Sequence, residues 1–153
     1  MAELFLSRET SIERLLLDTI SHCRTSVHLA AYRLTNLRLA RGLVEAHRRG
    51  LDVRVVLDAV KCEANPAPAE LFDEHRVPYR TLFGREGPPT KMHHKFAIFD
   101  DRTVSTGSYN WTEESEEQNF EDLIILQDEA LVARYRTAFE QLWQRAAQAA
   151  SAD

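Results

Sequence analysis

The first half of the chain alternates strand and helix, and this alternation limits the fold more than any other feature. "SVHLAAY" (26–32) is an apolar run of strand length, and "DVRVVLD" (52–58) is another. Between them "NLRLARGLVEAHRRG" (36–50) sets Leu39, Ala40, Leu43 and Val44 on one helical stripe. Asn36 reads as its N-cap and Gly50 as its stop. Upstream, "ELFL" (3–6) is a short strand, followed by the helical segment "TSIERLLLDTISHC". Thr10 and Glu13 there have capping-box spacing, and Ile12, Leu15, Leu16, Thr19, Ile20 and Cys23 form its inward stripe.

The second half is richer in strands. "VKCEAN" (60–65) reads as a loop, and Pro66 and Pro68 suit the first turn of a helix over "PAELFDEHR". Strands are expected at 77–83, 92–99, 103–107 and 121–127. The breaker-rich loop "GREGPPTK" (84–91) follows the first of them, and a polar turn at Asp100–Arg102 joins the middle pair. A closing helix, "DEALVARYRTAFEQLWQRA", turns Leu131, Tyr135, Phe139, Leu142 and Trp143 to one side. The expectation is an α/β fold: a mixed β-sheet flanked by helices on both faces, in a single domain over 1–145 with a frayed tail at 146–153.

Composition narrows the function classes. A chain of 153 residues, 44% hydrophobic and 28% charged, suits one ordinary domain with a two- or three-layer core. A net charge of −5 argues against a surface positive everywhere, though not against a local positive cleft. Cys23 and Cys62 lie far apart and in no CxxC, so buried thiols are expected in place of a disulfide. "MAELFLSRET" has the pattern of neither a signal peptide nor an anchor, and no run approaches the roughly 18 apolar residues of a spanning helix. A cytoplasmic protein without stable membrane association is expected.

The chemistry concentrates in "KMHHKFAIFDDRTVSTGSYNWT" (91–112). On a strand, His93 and Lys95 would share one face, while His94, Phe96 and Ile98 share the other. A histidine and a lysine side by side are tolerable where an anion sits between them, and phosphate is the commonest such anion. Ser108 and Asn110 offer a hydroxyl and an amide two positions apart, beside Gly107. Asn110 could orient an oxyanion without adding charge. Glu121, two positions after Asn119, could accept the Nδ1 proton of His93 and raise the basicity of the other nitrogen. The adjacent histidines are a poor metal site, since neighbouring strand residues point apart. Bland roles suit the remaining candidates. His94 is a packed or capping histidine, and His47, Arg48 and Arg49 favour a helix C-terminus. The acidic run 113–118 is a solvated loop, and Trp111 is either core or a wall of the site. Arg85 and Lys91 sit in a glycine-containing loop that suits a substrate-gripping rim, with Trp111 a further rim candidate. Asp58 ends a strand without an assigned place.

The order His93-x-Lys95-xxxx-Asp100, then Gly107-Ser108-x-Asn110-Trp111, then Asn119-x-Glu121 resembles the HKD signature of the phospholipase D superfamily. "EAHRRGLDVRVVLD", "MHHKFAIFD" and "FEQLW" extend the resemblance over most of the chain. With one copy of the motif, the chain resembles the short branch that includes a small bacterial endonuclease and the mitochondrial phospholipase D/Zucchini group. The resemblance implies a phospholipase D-like fold and a catalytic set of His93, Lys95, Asn110, Glu121 and Asp100. His93 would attack phosphorus and form a phosphohistidine. Lys95 and Asn110, assisted by Ser108, would hold the nonbridging oxygens, and Glu121 would orient His93. Asp100 falls in a turn, which suits a structural or electrostatic part. The leaving oxygen needs an acid that one motif cannot supply, so a homodimer sharing one active site is implied, with no cofactor and no metal. The leading expectation is a nuclease acting on DNA or RNA. The others are a phospholipid phosphodiesterase and a nucleic-acid- or phosphate-binding module without turnover.

Overall fold

The structure, a computed structural model, describes residues 1–152. In chain order the elements are β1 (Ala2–Leu6), α1 (Ile12–His22), β2 (Ser26–Ala31), α2 (Leu37–Arg48), β3 (Asp52–Asp58), α3 (Ala59–Ala64), α4 (Ala67–His75), β4 (Tyr79–Leu82), β5 (Lys95–Phe99), β6 (Thr103–Gly107), α5 (Glu113–Glu117), β7 (Asp122–Leu126) and α6 (Glu129–Ala152). The strands form one seven-stranded sheet in the order β1-β7-β6-β5-β2-β3-β4. β2, β3 and β4 run parallel, and every other pairing is antiparallel. This is the mixed sheet that the sequence pattern calls for.

Strand alternation divides the apolar side chains between two cores. Val27, Leu29, Val53 and Val55 face α1, α2 and α4, where Ile12, Leu16, Leu39, Leu43 and Phe72 meet them. Ala30, Val56, Phe96, Ile98 and Val104 face α6 and pack on Val132, Phe139 and Ala146. β2 is buried on both faces, so its one histidine needs partners. His28 stacks on Phe139 at 4.9 Å, and its Nε2 lies 3.0 Å from Asp52 Oδ2.

Several local expectations change. Helix α1 is capped by Ser11, not Thr10: Ser11 Oγ accepts the Arg14 N–H. The Glu13 N–H donates to Glu116 of α5 at 2.8 Å, which also accepts the Ser11 hydroxyl at 2.6 Å. The acidic run is therefore not simply a solvated loop. It forms α5, started by Thr112 Oγ1 accepting from Ser115 N, and turns Glu116 inward. The segment after β3 is helix α3 because Asp58 accepts the Lys61 N–H and caps it. On α6, Val132 takes the inward place and Leu131 is exposed. The tail expected to fray continues α6 to Ala152, with Ala146 buried; residue 153 lies outside the described residues. Cys23 and Cys62 are free thiols. Among the described residues no helix is long and apolar enough to cross a membrane.

The topology brings five strand ends to one edge. Antiparallel pairing sets Lys95, the start of β5, opposite Ala31 at the end of β2, and Ala31 is opposite Leu57 near the end of β3. β6 ends there at Gly107, which pairs with Leu123 near the start of β7. A Cβ on Gly107 would collide with the carbonyl oxygen of Asp122, so glycine is what permits that close crossing.

Candidate active site

His93 lies just before β5, its ring tilted against Tyr32 with centroids 4.4 Å apart. Lys95 Nζ approaches His93 Nδ1 at 3.3 Å and donates to the His93 carbonyl at 3.1 Å. Nζ is also 3.4 Å from Nε2, so the ammonium sits against the ring and not along one nitrogen's lone pair. That position disfavours a second positive charge on the imidazole. The electrostatics agree: burial first, then the charges of Lys95 and Lys91, hold the His93 pKa below its ordinary value, against a smaller pull from Asp58. Burial also lowers the Lys95 pKa, and the Glu121 carboxylate partly offsets it. His94 turns the other way and meets Phe96 edge-on at 5.3 Å. The expected split of the two histidines is present, although β5 begins at Lys95 and not at Met92.

Glu121 is not on His93. Its Oε1 accepts the Ser108 hydroxyl at 2.7 Å, and its Oε2 accepts the Ser115 hydroxyl at 2.7 Å and the Asn119 amide at 3.2 Å. Three neutral donors, from just after β6, from α5 and from the loop before β7, occupy the carboxylate that was expected to orient His93. Ser108 is committed too, since its oxygen also accepts the Asp122 N–H at 3.1 Å. Its expected place on the phosphate is replaced by one on Glu121. Asn110 keeps its Oδ1 buried and, among the described residues, without a partner.

Two other candidates move away. Trp111 is 2% exposed in the core beneath α2, its carbonyl accepting the Thr35 and Asn36 N–H groups, so it forms no rim. Asp100 stands at the opposite end of β5 from Lys95. There its carboxylate accepts the N–H groups of Arg24, Thr25 and Ser26 and the Thr25 hydroxyl at 2.8 to 3.1 Å. It pins the turn before β2, away from the Lys95 end of the strand. Arg85 and Lys91, both exposed, line a cleft of about 420 Å³ with His93, His94, Leu142 and Arg145.

Tyr32 and Asp58 lie beside His93 without being announced by the motif, and Lys61 Nζ lies 5.8 Å from the Tyr32 ring centroid. Asp58 is 1% exposed and accepts the Met92 N–H at 3.0 Å, next to His93. Its place at the end of a predicted strand was the available signal. Among the described residues no three His, Cys, Asp or Glu side chains gather as a metal-binding group.

A family profile described as "Cardiolipin synthase, PLD-like domain" matches residues 16–143. The chain belongs to the phospholipase D superfamily. It carries one HKD motif, within a superfamily of phosphodiester hydrolases. Human mitochondrial cardiolipin hydrolase is 32% identical over 137 residues, which are 90% of this chain and 52% of that protein. The chain thus spans about half the length of the curated relatives it matches. The phospholipase D family member Nuc from Salmonella typhimurium superposes with a TM-score of 0.84 at 28% identity, covering 94% of each chain. NucT from Helicobacter pylori, at 24% identity and a TM-score of 0.82 over 94% of this chain and 96% of its own, shares the fold.

Proposed function

We propose that the protein hydrolyses nucleic-acid phosphodiester bonds through a covalent phosphohistidine on His93, in a site completed by a second copy of the chain. The observation that carries this reading is the His93 ring set against the Lys95 ammonium, in surroundings that favour the uncharged imidazole. An uncharged imidazole is the nucleophilic form, and the adjacent cation is positioned for the nonbridging oxygens. A His93 nitrogen attacks phosphorus and the bond to the leaving oxygen breaks. That oxygen keeps the electron pair and takes a proton from a protonated His93 of the second copy. Water then attacks the phosphohistidine, the N–P bond breaks, and the proton returns to the second imidazole. In this scheme Lys95 offsets the phosphoryl charge and the neutral Asn110 amide donates to its oxygens, without a metal.

The absence of a second acid in one chain supports the dimer, because the described residues around His93 offer lysines and His94 but no second HKD histidine. A phospholipid reading is favoured by one observation, the 32% identity with mitochondrial cardiolipin hydrolase. EDTA-treated protein given oligonucleotides, cardiolipin vesicles and bis(p-nitrophenyl) phosphate separates the readings. Nicked nucleic acid, lost in His93→Ala, is expected, together with phosphohistidine on denatured protein. Turnover of cardiolipin alone would establish the phospholipid reading. Binding without turnover of any substrate would leave a binding module.

A further inference from the structure

Of nineteen basic residues in the chain, only Lys61, Lys91 and Lys95 are lysines, and the rest are arginines. The fold brings all three to one aromatic ring. Their Nζ atoms lie 5.8, 5.9 and 5.4 Å from the Tyr32 centroid, and the ring itself packs on His93. They come from two separated stretches: Lys61 from α3, and Lys91 and Lys95 from the end of the loop before β5 and the start of that strand. Among the described residues no lysine makes an ion pair, whereas Arg38, Arg48, Arg54 and Arg136 all do.

Ammonium groups gathered around one ring repel one another. Glu121 offsets the charge of Lys95, whereas Lys61 and Lys91 make no ion pair among the described residues, and the ring offsets only part of the cost. An anion removes it. Lysine's compact charge and rotatable donors let several side chains surround one tetrahedral anion. Lys95 is engaged at the attacked phosphate, which leaves Lys61 and Lys91 without an anion.

We propose that Lys61 and Lys91, over the Tyr32 ring, form a subsite for a second phosphate of a polynucleotide, next to the phosphate attacked by His93. This rests on the nuclease reading above and deepens it. The subsite is tied rigidly to the reacting group: one carboxylate, Asp58, accepts both the Lys61 N–H and the Met92 N–H at 3.0 Å. The backbone at Lys61 and the backbone at Met92, between Lys91 and His93, are thereby held by one side chain.

The test compares wild type and Lys61→Met on a single-stranded oligonucleotide and on bis(p-nitrophenyl) phosphate, which has a single phosphate. The ratio of kcat/KM for the oligonucleotide to that for the small ester should fall about tenfold, through KM, and the salt slope of oligonucleotide binding should drop by about one. Turnover of the small ester by the variant shows that it is folded. An equal loss on both substrates would put Lys61 at the attacked phosphate, and an unchanged ratio and slope would give it no part in binding; either result overturns the subsite. Wild type that turns over the small ester and cardiolipin but no oligonucleotide would defeat the nuclease reading itself, and with it the polynucleotide assignment. Inactivity of the wild type distinguishes that failure from one confined to the variant.

Discussion

Asp58 Oδ1 accepts the backbone N–H of Met92 at 3.0 Å, while its Oδ2 accepts that of Lys61 at the same distance. One buried side chain thus joins the end of β3, the start of α3 and the residue before His93. Asp58→Ala leaves two N–H groups without their acceptor, and should cost about 2 to 4 kcal/mol in urea unfolding. In the folded fraction, loosening the His93 segment should lower kcat about a hundredfold, since small displacements of a reacting group are expensive. Hydrolysis of bis(p-nitrophenyl) phosphate under non-denaturing conditions measures this.

Asp100 should behave in the opposite way, although it belongs to the HKD motif. Burial alone would raise its pKa, but the N–H groups of Thr25, Ser26 and Arg24 and the Thr25 hydroxyl outweigh it and hold the carboxyl below its ordinary 3.8. A depressed native pKa gives stability that is present above 3.8 and lost as pH falls through the native value. Asp100→Asn should lower stability at neutral pH by about 2 kcal/mol. Its unfolding curve should also vary less with pH below that range. Loss of activity should follow the folded fraction; a loss of kcat at full folding would return Asp100 to the chemistry.

These two residues show what was legible in the sequence and what was not. The sheet, the main helices and the His93–Lys95 pairing follow from periodicity and motif spacing, which are local signals. The pairing holds even though the alternation behind it does not extend to His93, because Lys95 reaches back to the His93 carbonyl. Helices α3 and α5 have six and five residues, too short for a stripe, and each depends on one capping side chain, Asp58 or Thr112. Glu121 could be matched to a motif, but its partners Ser115 and Asn119 come from a segment whose shape only the fold supplies. The cluster around Tyr32 draws on three separated segments, so no window of sequence contains it.

The neutral His93 predicts an acid limb in kcat/KM. Activity should rise with pH as the imidazole loses its proton, with a midpoint below the ordinary histidine value of 6.5. Lys91→Met removes a repelling charge from the protonated form, so the midpoint should move up toward 6.5. Rates on bis(p-nitrophenyl) phosphate across pH 4 to 8 check the sign (roughly two units either side of the histidine value). A midpoint above 6.5 would mean a charged resting imidazole, at odds with its contact to Lys95.

Asn110 holds a buried acceptor, Oδ1, without a partner among the described residues. An orphan of this kind costs about 1 to 3 kcal/mol, while the amide nitrogen of the same side chain is the group able to donate to an oxyanion. Asn110→Ala should therefore be no less stable than wild type in thermal melts, while kcat falls about a hundredfold or more as an oxyanion donor is lost. Asn110→Asp should be worse, since it sets a carboxylate toward a phosphate. Equal kcat in Asn110→Ala and wild type would remove Asn110 from the site.

The shared site has a consequence that a single-chain enzyme would not show. If attack needs one His93 and protonation of the leaving oxygen needs the other, a dimer of one wild-type chain and one His93→Ala chain is inactive. Random assortment then makes activity follow the square of the wild-type fraction, so an equal mixture should retain about a quarter of full activity. A chain that acts alone would retain about half. Co-refolding the two proteins at fixed total concentration and assaying bis(p-nitrophenyl) phosphate gives the curve directly. Sedimentation of the same mixtures confirms that exchange is complete. A straight line through exchanged dimers would require a proton donor within each chain, and the residue to test first would then be Lys95, the charged donor nearest His93.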